Sequence, residues 1–246
     1  KASGAKLIRF AHNNLSELET LLKNSRNQNP TKRPLVITES LFSMEGTTAP
    51  IKAISKICIK YDSKLLVDEA HAFGVMGSEG RGESFGLKEP ISIISGTFGK
   101  AFGSGGAFLA TNKKIGEELI QNCGPFRYTT ALAPPLCAAA YAALNLIQNN
   151  PKWGIKLQKK SIALRDKLSK NGWQRPPGKG PIISLLLGED QLAIDYQIKL
   201  EAEGFLTVAI RPPTIPEGQS RLRLIVRRNI PKQAFKKLIK TLEKNE

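Results

Sequence analysis

Three short polar stretches of the 246-residue chain carry titratable side chains, two of them with glycine: Glu39 to Gly46, Asp68 to His71 (Gly74 follows it), and Ser95 to Gly106. The third carries Lys100. The second carries Asp68 and one of the chain's two histidines, His71. Glycine lets a backbone approach a ligand closely, and a lysine amine beside an acid and an imidazole can anchor a carbonyl compound or move protons. Phosphate and nucleotide chemistry are the first alternatives to weigh. Gly99-Lys100 resembles the end of a Walker A loop, but the first glycine of that loop would fall at Ile94, and Ala101 stands where a magnesium-binding hydroxyl is needed. Gly103-Ser104-Gly105 begins a dinucleotide fingerprint whose third glycine position is Phe108. Asp68-Glu69-Ala70-His71 spells a helicase-type DEAH box, yet no phosphate-binding loop precedes it to make an ATP site. Each nucleotide reading fails on its own chemistry.

The elements around these stretches explain why they should meet. Leu35 to Thr38 reads as a short strand, Ile51, Ile54, Cys58 and Tyr61 repeat at helical spacing with Pro50 in the first turn, and Leu65 to Val67 reads as a second strand. Strand, helix and strand in so few residues make a βαβ unit with parallel strands. Ile91 to Ile94 and Ala107 to Leu109 supply further strands, and Ile115 to Gln121 a helix. All three polar stretches therefore follow strand ends, where open α/β sheets collect ligands. Composition shifts near Asn149-Asn150-Pro151. Beyond it come a basic helix from Ile155 to Lys170, a strand at Ile182 to Leu187, a helix at Leu192 to Glu203, a strand at Leu222 to Val226 and an amphipathic helix from Pro231. An α/β unit, 1–148, is thus expected ahead of a smaller α+β unit, 149–246.

Bulk composition narrows the function classes. Hydrophobic residues make up 41% and charged residues 24%, as in ordinary globular proteins. The uncharged stretch from Tyr128 to Pro151 contains Pro134, Pro135 and many alanines, so it predicts a buried Ala-rich helix rather than a membrane span. Three cysteines without a CxxC pair predict neither a disulfide framework nor a metal site, and two of them, in apolar helical context, are expected to be packed. That usage fits a reducing cytoplasm. The net charge of +16 admits an acidic partner, but the basic residues are scattered with few aromatics between them, which argues against nucleic acid. The first residue is Lys1, and no charged n-region with an apolar run follows it, so no signal peptide is expected.

Taken together, Glu39-Ser40-Leu41-Phe42-Ser43-Met44-Glu45-Gly46, Val67-Asp68-Glu69-Ala70-His71 and Gly96-Thr97-Phe98-Gly99-Lys100 resemble the three cofactor segments of the α-oxoamine synthase family, in its order and at compatible spacing. Arg81-Gly82 after Gly74 matches the family's turn beyond the histidine. The resemblance implies an α/β fold of the fold-type I, aspartate aminotransferase-like class of pyridoxal-phosphate (PLP) transferases. Its large domain would hold a mostly parallel sheet, with a smaller α+β domain at the C-terminus. It implies that Lys100 anchors PLP as a Schiff base and moves a proton at the substrate α-carbon. Asp68 would pair with the ring nitrogen, His71 and Ser43 with the ring hydroxyl, and Thr97 with the phosphate. Tyr128-Thr129-Thr130-Ala131-Leu132 resembles the segment that reaches phosphate across a homodimer interface, with Thr130 as its contact.

Further on, Ala209 to Pro216 and Arg221-Leu222-Arg223-Leu224 look like the biotin-pathway branch of that family. There Arg223 would clamp the amino-acid carboxylate, as a planar, always charged guanidinium can, and Thr214 would meet the acyl substrate. The implied reaction is condensation of L-alanine with a pimeloyl thioester, delivered by CoA or an acyl carrier protein, with loss of CO2. Synthases acting on glycine, or an aminotransferase of the same fold, are the alternatives, with a nucleic-acid module more distant. The family also has an upstream segment with a ring-stacking histidine, a glycine–aromatic phosphate loop and a substrate arginine. None of these is matched here, since His12 with Asn13-Asn14 fits a later helix-cap context. The resemblance therefore implies the C-terminal part of a larger enzyme.

Overall fold

A computed structural model of the chain describes residues 3–243; Lys1, Ala2 and residues 244–246, the outer ends of the two expected units, lie outside the described residues. Helix α1 (Leu15–Gln28) opens at Asn14, whose side chain accepts the Glu17 N–H. Strands β1 (Leu35–Glu39) and β2 (Lys64–Asp68) then pair in parallel with α2 (Ile51–Lys60) as their crossover. Strand β3 (Ile93–Thr97) joins β2 in parallel, and β4 (Ala107–Thr111) closes the sheet antiparallel to β3, in the order β1-β2-β3-β4. Leu18 and Leu22 of α1, with Ile51, Ile54 and Cys58 of α2, bury Val36, Leu65 and Val67 on one face of this sheet.

Helices α3 (Lys113–Asn122), α4 (Gly124–Arg127) and α5 (Pro134–Gln148) lead to α6 (Trp153–Lys170). The second sheet is antiparallel and consists of β5 (Ile182–Gly188), β6 (Val208–Ile210) and β7 (Ser220–Ile225), in the order β5-β7-β6. Helix α7 (Asp190–Ala202) follows β5, and α8 (Lys232–Thr241) follows β7. Leu164 and Leu168 of α6 pack with Ile183, Leu185, Leu222 and Leu224 in a core of almost wholly buried side chains. Strand residues alternate faces, so burying Leu222 and Leu224 there turns Arg221 and Arg223 to the opposite face, toward the first sheet.

A buried arginine ties the second unit to its own loop. Arg165 on α6 donates to the carbonyls of Pro177, Ser161, Gly180 and Ile182. Burial pushes its pKa down to about 10. The segment it holds presses on Gly46: a Cβ on Gly178 would run into the Gly46 carbonyl, and one on Gly46 into that of Ile182.

Several expectations change. The strand expected at Ile91 to Ile94 begins at Ile93, because the Ser92 hydroxyl takes the Leu65 N–H and stands in for the ladder. Pro50 sits at the cap position, one residue before the first turn of α2. The Ala-rich helix α5 exists but is largely exposed, with Ala140 its only buried residue, because neither sheet of the described residues covers its apolar face. Cys58 is packed as expected, whereas Cys137 on α5 is exposed for the same reason. The helix-cap context at His12-Asn13-Asn14 opens α1, with Asn14 as its cap, while no sequence signal marks the three-residue β6. No helix among the described residues is long and apolar enough to cross a membrane.

Candidate active site

The parallel register places the ends of three strands side by side: Glu39 lies opposite Asp68, and Asp68 opposite Ser95. Beyond Asp68 the chain turns at once. Asp68 Oδ1 accepts the Ala70 N–H at 2.7 Å, and its other carboxylate oxygen has no partner among the described residues. That oxygen is an available acceptor at the mouth of the sheet.

The neighbouring Glu69 is a residue the sequence reading left without a role. It is 1% exposed. Its carboxylate accepts the Ser40 hydroxyl at 2.6 Å and the backbone N–H groups of Ser84 at 2.7 Å and Glu83 at 3.1 Å. A buried carboxylate so satisfied fixes the ends of β1 and β2 against the turn after the histidine. Gly82, at φ +90°, has no room for a Cβ because Glu69 occupies that space. This explains the glycine of Arg81-Gly82 in local terms.

His71 is half-buried, and its pKa is lowered to about 4, first by burial and then by the positive charges of Lys100 and Arg223, while Asp68 acts in the opposite sense. The imidazole is therefore neutral at neutral pH, and Lys100, Arg223 and Asp68 all lie near enough to act on it electrostatically although Asp68 and Arg223 are far apart in sequence. Lys100 is exposed, in the tight connection between β3 and β4. Its carbonyl accepts the Gly103 N–H, and the Ser104 N–H returns to Phe98. Thr97 braces the same turn by donating to the Gly106 carbonyl and accepting the Gly99 N–H, both at 3.1 Å. Phe73, Phe98, Phe102 and Phe108 pack ring against ring beside it, Phe73 stacked on Phe102 and the other pairs edge-on or tilted. Gly96 lies against the Phe108 ring, where any Cβ would collide.

Ser43 and Arg223 meet directly: Arg223 Nε donates to the Ser43 carbonyl at 2.8 Å. The two terminal nitrogens of Arg223 have no partner among the described residues, so they form an open fork. Arg221, two residues back on β7, lies 3.7 Å from Glu45. The structure thus brings together Asp68, His71, Lys100, Ser43 and Arg223, with Thr97 at the foot of the lysine turn. Thr130 and Thr214 are not joined to them by any contact among the described residues. Thr130 lies in an exposed stretch before α5, and Thr214 is exposed in the loop joining β6 to β7, its N–H on the Arg211 carbonyl.

This donor set fits a pyridoxal-type cofactor: a free amine, an open carboxylate acceptor, a neutral imidazole and two hydroxyls. It does not resemble a metal centre, and no cluster of metal-ligating side chains occurs among the described residues.

Known proteins bear on the reading. The chain is 40% identical over 228 residues to a putative 8-amino-7-oxononanoate synthase of Acetivibrio thermocellus, covering 92% of this chain and 58% of that protein. It is 41% identical over 224 residues to the 8-amino-7-oxononanoate synthase of Nitrosospira multiformis, covering 90% of this chain and 56% of that protein. The chain thus spans little more than half the length of these curated relatives. Among solved structures, serine palmitoyltransferase of Sphingomonas wittichii superposes with a TM-score of 0.89 at 27% identity, over 97% of this chain and 60% of that one. The 8-amino-7-oxononanoate synthase of Francisella tularensis superposes with a TM-score of 0.82 at 29% identity, over 98% of this chain and 69% of that one. Such neighbours carry the fold-type I architecture, and one is described as SPT with PLP. The family described as aminotransferase class I and II matches residues 1–242, and the chain belongs to that family.

Proposed function

We propose that this chain forms the lysine-bearing part of a PLP-dependent acyltransferase that condenses L-alanine with a pimeloyl thioester to give 8-amino-7-oxononanoate in biotin biosynthesis. The observation that carries the reading is the meeting of Lys100, Asp68, His71 and the open fork of Arg223 at the strand ends. PLP, when bound, supplies the electron sink that a carbanion next to an amino group requires. The chain's own residues supply the rest. Lys100 holds the cofactor and moves the proton at the α-carbon of alanine. The free oxygen of Asp68 keeps the ring nitrogen protonated, and neutral His71 with Ser43 takes the ring hydroxyl. Thr97 serves the phosphate. The fork of Arg223 receives the alanine carboxylate, and Thr214 sits toward the acyl substrate. In the overall reaction alanine loses its carboxylate as CO2 and the pimeloyl group leaves its thiol, carried by CoA or an acyl carrier protein.

We further read the enzyme as a cytoplasmic homodimer in which Thr130 reaches the partner's phosphate site, and the chain as dividing at residue 148. Exposed apolar side chains on the surface that contains Thr130, among them Tyr128, Leu132, Leu136 and Tyr141, support the dimer. Two separate sheets support the division.

The test is a substrate panel on the complete enzyme. L-alanine with pimeloyl thioester should be turned over far better than glycine with acetyl-CoA. Arg223→Ala should raise the alanine KM on the order of a hundredfold, the cost of a lost charged hydrogen bond to a carboxylate. Preference for glycine and acetyl-CoA moves the protein to another branch. Transamination in place of condensation makes it an aminotransferase.

A further inference from the structure

The loop after β1 is held from two sides. From below, the Glu39 carboxylate accepts the Ser43 backbone N–H at 3.1 Å, with the Ser43 hydroxyl 3.4 Å from its other oxygen. From above, the Ser43 carbonyl accepts Arg223 Nε at 2.8 Å. Gly46, at φ +71° and packed on the Ile182 carbonyl, closes the loop. One residue therefore stands between a carboxylate at the end of β1 and the guanidinium on β7, which lies in the other sheet.

Glu39 is no ordinary surface acid. It lies beside Asp68 in the sheet register. Burial raises its pKa, the Ser43 N–H opposes that, and Asp68 adds to the rise. Its negative charge also acts on Arg223, against the effect of burial there. Among the described residues no salt bridge joins the two side chains, so the link between them runs through Ser43.

We propose that Glu39 is a positioning residue for the amino-acid substrate: by fixing the Ser43 peptide it sets where Arg223 presents its two terminal nitrogens. The inference rests on the reading of Arg223 as the carboxylate clamp. With Nε engaged, the two terminal nitrogens stay free and their direction is fixed, which suits a bidentate contact with a carboxylate. Ser43 engages Nε, and Glu39 keeps Ser43 in place.

The experiment uses the complete holoenzyme and reads L-alanine binding from the visible spectrum of the bound cofactor, with kcat and KM measured alongside. Glu39→Ala should weaken alanine binding about tenfold, the usual consequence of one lost hydrogen bond to a charged acceptor, with kcat changed less than threefold. Glu39→Gln, which keeps an acceptor for the Ser43 N–H, should recover most of that loss. On an Arg223→Ala background, Glu39→Ala should cost less than twofold more, since its effect passes through Arg223. Should Glu39→Ala fail to fold, Glu39→Asp makes the same test, being one methylene too short to reach Ser43.

Alanine binding unchanged in both the Ala and Asp variants, or a tenfold loss that persists without Arg223, overturns the role of Glu39 and leaves the proposed reaction standing. Alanine binding indifferent to Arg223→Ala removes the clamp itself, and the inference falls with it.

Discussion

The two sheets solve the same problem to different degrees. In the second sheet, Ile183 and Leu222 are each 0% exposed, as is Leu168 of α6 packed on them, sealed between strands and the helices α6, α7 and α8. Around the β4 edge of the first, Tyr128 is 79% and Tyr141 67% exposed, with Phe126, Leu136 and Leu146 also open. Parallel sheets normally carry cover on both faces, and here α1 and α2 cover one. The accessible surface of 15133 Å² for 26.9 kDa exceeds the roughly 10,800 Å² that size scaling gives a compact monomer. The lesson is that apolar sequence specifies a helix and its sticky face, while what that face meets is not written in the helix itself. The candidate site lies at the junction of the two regions, with Arg223 from the sealed sheet and Lys100 from the open one.

That contrast can be broken by mutation. Leu222→Ala, in the sealed core, should cost the chain about 3–4 kcal/mol in urea unfolding, through lost transfer energy and a residual cavity. A cost below about 1 kcal/mol would mean the second sheet is not sealed as described.

His71 sharpens the comparison at the junction. Its folded pKa is about 4 against an ordinary 6.5, so as pH falls below 6.5 the unfolded chain takes up the proton first. Stability is thus full above pH 6.5 and is lost progressively down to about pH 4. Glu39, with its raised pKa, works in the opposite sense over part of that range, so the clean quantity is the difference between wild type and His71→Gln. After discounting for solvent screening, the extra loss in the wild type between pH 7 and 4.5 should be about 1 kcal/mol. Equal pH dependence in the two proteins would show that His71 is not buried neutral beside the two cations.

The smallest effect on stability belongs to the open face. Tyr141→Ala should leave the unfolding free energy within about 0.5 kcal/mol, as exposed substitutions do, yet weaken self-association of the complete enzyme in sedimentation. Unchanged association would remove Tyr141 from the proposed dimer surface.

These regions also differ in how legible they are in sequence. The polar strand ends are local signals, and Asp68, His71 and Lys100 are legible in them. Glu69 was unreadable because its role depends on Ser40 and the Glu83–Ser84 backbone, which the fold brings to it. Arg165 looks like a charge on a basic helix, and only the loop it holds reveals why it is buried. The depressed pKa of His71 comes first from burial and then from Lys100 and Arg223, and the nearness of Arg223 on β7 is a product of the fold that no local sequence signal carries. Exposure of α5 is not legible, since alanine-rich apolar sequence is the same whether its cover comes from its own chain or another.

The central claim is that Lys100 carries the cofactor. Borohydride reduction of the holoenzyme followed by peptide mapping tests it directly. The account predicts a visible absorbance band that bleaches on reduction, with the pyridoxyl group recovered on the peptide containing Lys100, and no fixed adduct in Lys100→Ala. Recovery of the group on any other lysine, or an undiminished adduct in Lys100→Ala, would contradict the account.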